Sequence, residues 1–199
     1  MQAQFDKIIE WFVPSASGNS TPFALEDPFR VAEAIIVEAS PSFKINFTSE
    51  ALSDTTIHGN LPIFVDIFTN IFDNVVKRSG LEIPLADCQI WISKPNSELN
   101  IVYFKISNDL NLTLNLTDLT LELIRKKELL ETGDYAQYLA IEGNSGLYKI
   151  HKSVSELTDA GFDEKPTFDF GIENNRFQII IGVPFRVFKL EPEELEEKK

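Results

Sequence analysis

The chain has 199 residues, 43% of them hydrophobic and 16 of them phenylalanine, so it can build one domain with a substantial core. Its 31 acidic residues outnumber 18 Lys and Arg, giving a formal net charge of −13. That charge argues against a broad grip on nucleic-acid phosphates or an anionic membrane, while leaving room for a local basic pocket. No run of 18 apolar residues is present, so a membrane-spanning helix is excluded. The opening MQAQFDKIIEWF lacks the basic start and small-residue cleavage site of a secretory signal. Cys88 is the single cysteine, which excludes an internal disulfide and a Cys-rich zinc site. A soluble, cytoplasmic domain is therefore expected, and the sequons at Asn19, Asn46, Asn111 and Asn115 read as chance.

Phe5, Ile8, Ile9 and Phe12 predict a short amphipathic helix that stops at Pro14, followed by a loop over 15–22. A helix is expected from Asp27, with Pro28 in its first turn and Phe29, Ala32, Ile35, Ile36 and Ala39 on its core face. Residues 44–48 alternate as a strand, and 55–58 form a second, short one. The strongest helix signal follows. Asn60 stands as its cap, Pro62 lies in its first turn, and Gly80 stands just past its end. Leu61, Phe64, Val65, Phe68, Phe72, Val75 and Val76 make its apolar stripe, opposite Asp66, Asn70, Asp73, Asn74 and Lys77.

Strands are expected at 89–93 and 99–106, joined by the turn residues Lys94, Pro95 and Asn96. Leu110, Leu112, Leu114 and Leu116 alternate like a strand, and a helix is read over 117–131, ending near Gly133. Residues 143–146 open a further helix with Leu147, Ile150, Val154 and Leu157 on one face. Residues 167–171 and 176–183 predict a closing hairpin around Asn174 and Asn175. The tail carries five Glu against two Lys over residues 190–199, a solvated charge run. Together these predict an α+β fold, a two-layer sandwich of helices on one mixed, mainly antiparallel sheet. The divisions expected are an extension over 1–26, a domain over 27–187 and an acidic tail over 188–199.

Two segments carry chemistry. In Asn70-Ile-Phe-Asp-Asn74-Val-Val-Lys77-Arg-Ser79-Gly, the two asparagines lie one helical turn apart on the polar face. An amide oxygen is a hard ligand suited to Mg²⁺, and Lys77 adds a positive charge. An amphipathic helix with a polar outer face explains the same residues about equally well. About 65 residues further on stands Glu142-Gly143-Asn144-Ser145-Gly146-Leu147. Its glycines let backbone amides approach an anion at a helix N-terminus.

The order of elements and these segments resemble the GHKL ATPase superfamily, closest to the ATPase domain of histidine kinases, over residues 27–185. The first segment is similar to the kinases' N-box. The resemblance implies Asn74 as the Mg²⁺ ligand, Asn70 at the catalytic position and Lys77 at the phosphates. The second is similar to the G-x-G-L box and implies nucleotide contacts from Gly143, Asn144, Ser145, Gly146 and Leu147, with a lid over about 110–142.

The family's D-x-G-x-G box is replaced by Asn108-Asp109-Leu110-Asn111-Leu112. Alternation along the strand puts Asn108 at the adenine-binding position, as in a subset of peptide-pheromone-type kinases, with Asp109 as the neighbouring candidate. The cofactors implied are ATP and Mg²⁺. The function implied is a nucleotide-gated ATPase or kinase-like module of a larger bacterial signalling or defence protein, with protein partners or flanking domains and no nucleic acid or membrane contact. The alternatives are an interaction domain of the same fold that has lost nucleotide, or a working kinase domain whose phosphoacceptor helices lie elsewhere.

Hydrolysis is expected to be slow, because Asn70 stands where the hydrolytic branches of the superfamily carry a general-base Glu. The residues ahead of Asp27 are too few for a phosphoacceptor hairpin, so autophosphorylation on histidine is not expected. His58 and His151 read as structural, Cys88 as a small core residue, and Arg125-Lys126-Lys127 as a surface cluster.

Overall fold

The computed structural model describes residues 21–49, 56–93, 100–140, 145–157 and 165–185. The elements run β1 (Thr21–Ala24), α1 (Asp27–Ala39), β2 (Lys44–Ser49), β3 (Thr56–Gly59), α2 (Leu61–Arg78), β4 (Leu85–Ser93), β5 (Asn100–Asp109), α3 (Leu116–Thr132), α4 (Gly146–Ser155), β6 (Thr167–Glu173) and β7 (Arg176–Phe185). A 3₁₀ turn covers Ala136–Tyr138. The four helices pack on a five-stranded mixed sheet of order β2-β4-β5-β7-β6, in which β2 and β4 are parallel and the other pairs antiparallel. This is the expected α+β sandwich. The expected helix over 2–12 and the tail over 188–199 lie outside the described residues.

The core is written in two periods. Val102, Phe104 and Ile106 of β5 point to one face, and Ile106 stands between Cys88 of β4 and Ile179 of β7 in the pairing register. Against that face α2 buries Leu61, Phe64, Val65, Ile67, Phe68, Ile71, Phe72 and Val75. Phe68 is fully buried and stacks on Phe29 of α1, with ring centroids 3.9 Å apart. Asn60 caps α2 by accepting the Ile63 N–H, and Gly80 takes a φ of +67° just beyond its end. At the other end of the chain, Asn174 and Asn175 take φ of 51° and 60°, the left-handed pair that a two-residue hairpin requires.

Four expectations are corrected. Residues 21 and 22 are not loop: they begin β1, which pairs with β3 in a separate two-stranded ribbon, so β3 stands outside the main sheet. Ile35 is 43% exposed and Ala39 is exposed, so α1 buries a narrower face than its apolar content suggested. β4 begins at Leu85, four residues early, because Ala86 and Cys88 continue its buried alternation. The alternating leucines of 110–116 form no strand. Asn111 accepts the Thr113 N–H and hydroxyl, and Asn115 caps α3, so asparagine side chains turn the chain where a ladder was expected.

Candidate functional site

The end of α2, the end of β5, α3 and the start of α4 line a cavity of about 320 Å³. From α2 come Asn74, Lys77 and Arg78; from β5, Asn108; from α3, Leu119, Glu122, Leu123 and Lys126; from α4, Gly146 and Leu147. Leu110, Leu114 and Phe177 complete an apolar side. The lining mixes cationic and amide side chains with apolar ones. That mixture suits a ligand with an anionic part and a flat or apolar part.

Asn74 and Gly146 meet in the cavity wall. A Cβ added to Gly146 would stand 2.6 Å from both Oδ1 and Nδ2 of Asn74, so the asparagine occupies the space a side chain would fill. The Asn74 Nδ2 is buried and has no partner among the described residues. A buried amide without a partner is costly, and exogenous polar atoms would relieve it. The two amide positions exchange by rotation about the last bond, so either an oxygen or an N–H can be offered to the cavity. Among the described residues no group of three or more His, Cys, Asp or Glu side chains could hold a metal. A Mg²⁺ ion fits only if most of its oxygens come from a ligand or water, with Asn74 as the protein's contribution, a habit typical of Mg²⁺ at phosphates.

Lys77 lines the cavity with its ammonium 2.8 Å from the Asp73 carboxylate, an exposed pair one turn apart. Ser145 is the N-cap residue of α4 and 5% exposed. Asn108 is 2% exposed, and its Nδ2 donates to the Asp109 carbonyl at 2.9 Å. Its Oδ1 is thus the atom left to accept from a ligand. Asp109 points to the opposite sheet face, with its Oδ1 2.8 Å from Arg176 Nε, and it does not line the cavity.

Asn70 also stands outside the cavity wall. Its Nδ2 donates to the Asp66 carbonyl at 2.8 Å and to Asp66 Oδ1 at 3.1 Å, while Asp66 Oδ2 accepts from Ser153 of α4. Of the predicted residues, the structure therefore brings together Asn74, Lys77, Asn108, Gly146 and Leu147. Gly143 and Asn144 lie outside the described residues.

Sequence reasoning missed the contribution of α3. Lys126, read as part of a surface cluster, is 11% exposed and turned into the cavity beside Glu122. Its signal was present: Leu119, Leu123, Lys126 and Leu130 fall on one helical face, so the lysine interrupts the stripe that faces the protein. His151 packs edge-on against Tyr135 at 5.1 Å, its Nδ1 buried without a partner, and burial lowers its pKa. Cys88 is buried, and burial pushes its thiol well above the ordinary range.

Solved structures with this architecture are histidine kinase catalytic domains of the GHKL ATPase type. The catalytic domain of the histidine kinase ThkA superposes with a TM-score of 0.54 at 12% identity, covering 83% of this chain and 95% of that one. Full-length ShkA, solved in complex with AMPPNP, gives 0.52 at 14% identity over 94% of this chain and 36% of its own. These likenesses define the fold. Residues 24–187 match the family described as "y4jQ C-terminal putative histidine kinase domain", and the chain belongs to it. It is 29% identical over 158 residues to the Detocs histidine-protein kinase DtcA of Enterobacter cloacae, covering 78% of this chain. The chain spans 16% and 14% of the lengths of the two curated relatives it matches. Among the described residues no helix is long and apolar enough to cross a membrane.

Proposed function

We propose that the cavity binds ATP with Mg²⁺, as a nucleotide-gated, kinase-like module of a larger bacterial signalling or defence protein. The observation that carries this reading is the partnerless amide of Asn74, seated against Gly146 at a distance no other residue there would permit. Around it stand Lys77, Arg78 and Lys126, a cationic wall on a chain of net charge −13. Asn108 Oδ1 suits the exocyclic amine of adenine, and Leu110, Leu123 and Phe177 offer apolar surface that would suit its base. Asn74 would hold the metal, whose chemistry is to neutralise and orient phosphate oxygens.

Slow turnover belongs to the same reading. A positioned general base contributes about 10²–10⁴-fold, and Asn70 has no carboxylate to serve as one. Asp66 already accepts from Asn70 and Ser153, and Asp73 holds Lys77. Titration calorimetry with ATP, in Mg²⁺ and then in EDTA, tests the binding. Magnesium-dependent heat is expected, with thermal stabilisation of about 2.7 kcal/mol at 100 times the dissociation constant. Folded protein giving no heat at millimolar ATP and Mg²⁺ overturns the reading in favour of an interaction domain. In a phosphate-release assay the domain should stay below roughly 1 s⁻¹, the low end of ordinary enzyme rates. Faster turnover that vanishes in Asp66→Ala or Asp73→Ala would show another base at work.

A further inference from the structure

Asp109 ends β5 beside Asn108, and the two side chains leave the strand on opposite faces. Asn108 enters the cavity wall, whereas Asp109 turns to the face of the sheet away from the helices. There Arg176, its register partner on β7, stands with Nε 2.8 Å from Asp109 Oδ1. The same guanidinium donates to Asp87 of β4, whose register partner on β5 is Ser107, two residues before Asp109. Asp87 in turn accepts from Asn46 Nδ2 of β2 at 2.8 Å. A chain of polar side chains thus crosses four of the five strands, on the face away from the helices.

This chain reaches the cavity through one residue. The Asp109 carboxylate faces Arg176, and the Asp109 carbonyl accepts from Asn108 Nδ2 at 2.9 Å. That bond commits the Asn108 amide: with Nδ2 engaged, Oδ1 is the atom left for a ligand. An asparagine amide released from such a bond rotates through half a turn and offers oxygen or N–H alike. Beyond Asp109 one further rung, from the Leu110 N–H to the Asn175 carbonyl at 3.2 Å, holds the strand before Asn111 leaves it for the Ser79 carbonyl. Strand ends of this kind open at small cost, so side-chain ties there decide how a peptide is held.

We infer that Arg176 is a positioning residue: through Asp109 it fixes the Asn108 amide with its oxygen toward the ligand, so that the site reads an amine rather than a carbonyl on the base. The inference rests on the nucleotide reading above and adds a source for its base selectivity. Adenine presents an amine donor where guanine presents a carbonyl acceptor. An oxygen held in place accepts from the first and repels the second. Without Arg176 the Asp109 peptide gains freedom, the Asn108 amide turns, and its N–H serves guanine. Selectivity in the cavity is thus set from the opposite face of the sheet, by a side chain that does not line the cavity.

The test is calorimetric titration of the whole chain with ATP and with GTP, each with Mg²⁺. The proteins are wild type, Arg176→Met, Asp109→Ala, Asn108→Ala and the double variant of Arg176→Met with Asn108→Ala. Arg176 is 36% and Asp109 67% exposed, so their pair adds little to global stability and both variants should fold, which unfolding curves check. Wild type should prefer ATP by roughly tenfold, from one hydrogen bond made with the amine and refused to the carbonyl. Arg176→Met and Asp109→Ala should each cut that preference to about threefold or less, by weakening ATP and tightening GTP. A merely structural loss would weaken both nucleotides together and leave the ratio alone. In the Asn108→Ala background Arg176→Met should not change the ratio, since the residue it acts through is gone. A wild type without preference, an unchanged ratio in either single variant, or a further change of ratio in the double variant overturns the positioning role and leaves the nucleotide reading standing. Wild type that binds neither nucleotide overturns the nucleotide reading first, and this inference with it.

Discussion

α2 and α3 are nearly equal in length and opposite in character. Over 18 residues α2 buries eight side chains, whereas α3 over 17 buries Leu123 alone. Leu121 and Ile124 of α3 are about half exposed, and Leu112 ahead of it is 83% exposed. α2 is held by non-directional burial against α1, α4 and the sheet, and displacing it means opening the phenylalanine core. α3 is held by discrete polar attachments. Asn111 ties its entry to Gly80 and to the Ser79 carbonyl, Asn115 caps it, and Lys127 reaches Asp169. At its far end Tyr135 stacks on Tyr148 of α4 with centroids 6.0 Å apart. Such attachments open at small cost, whereas a buried helix opens only with the domain. The partition gives the cavity one wall fixed by the core and one held by surface contacts.

The comparison breaks first at Phe68. Phe68→Ala removes a fully buried ring that stacks on Phe29 and meets Phe104 edge-on. A loss of about 3–5 kcal/mol is expected, measured by denaturant unfolding with all probes moving together. A loss below about 1 kcal/mol would show that α2 is not the structural centre claimed here. Asn111→Ala is the counterpart at the entry to α3. It deletes the 2.7 Å bond to the Gly80 carbonyl and the acceptor for Thr113. The global cost should be about 1 kcal/mol or less, since these groups lie at the surface. Hydrogen exchange should nevertheless quicken across 113–123 and stay unchanged in α2. Uniform quickening of both helices would contradict the partition.

The same contrast explains what could be read in advance. α2 carried every local signal at once: cap, proline, seven-residue stripe and terminal glycine. The hairpin was equally plain, because Asn174-Asn175 can adopt paired left-handed conformations. β1 escaped notice because it is four residues long, contains Pro22 and follows a loop-like run of Ser, Gly, Asn and Thr. The leucines of 110–116 misled because alternation says nothing of the asparagines between them, whose side chains supply the turn's hydrogen bonds. Helical spacing put Asn74 and Lys77 on the polar face of α2, and the resemblance singled them out from its other residues. The neighbourhood of Asn74 and Gly146 could not, since it joins residues 72 positions apart that only packing brings together. Lys126 was hidden because Leu121 and Ile124 blur the apolar face of α3.

The most direct measurement is nucleotide titration of Gly146→Ala beside wild type, with unfolding followed on the same samples. The added Cβ falls 2.6 Å from the Asn74 amide, a movable side-chain end, and Gly146 opens its helix without a positive φ, so its backbone accepts alanine. Stability should therefore hold within about 1 kcal/mol or rise slightly, while Mg²⁺-dependent binding of ATP falls by at least tenfold because Asn74 is driven out of position. Binding that survives intact in a folded Gly146→Ala protein would contradict the claim that this asparagine and this glycine together form the site.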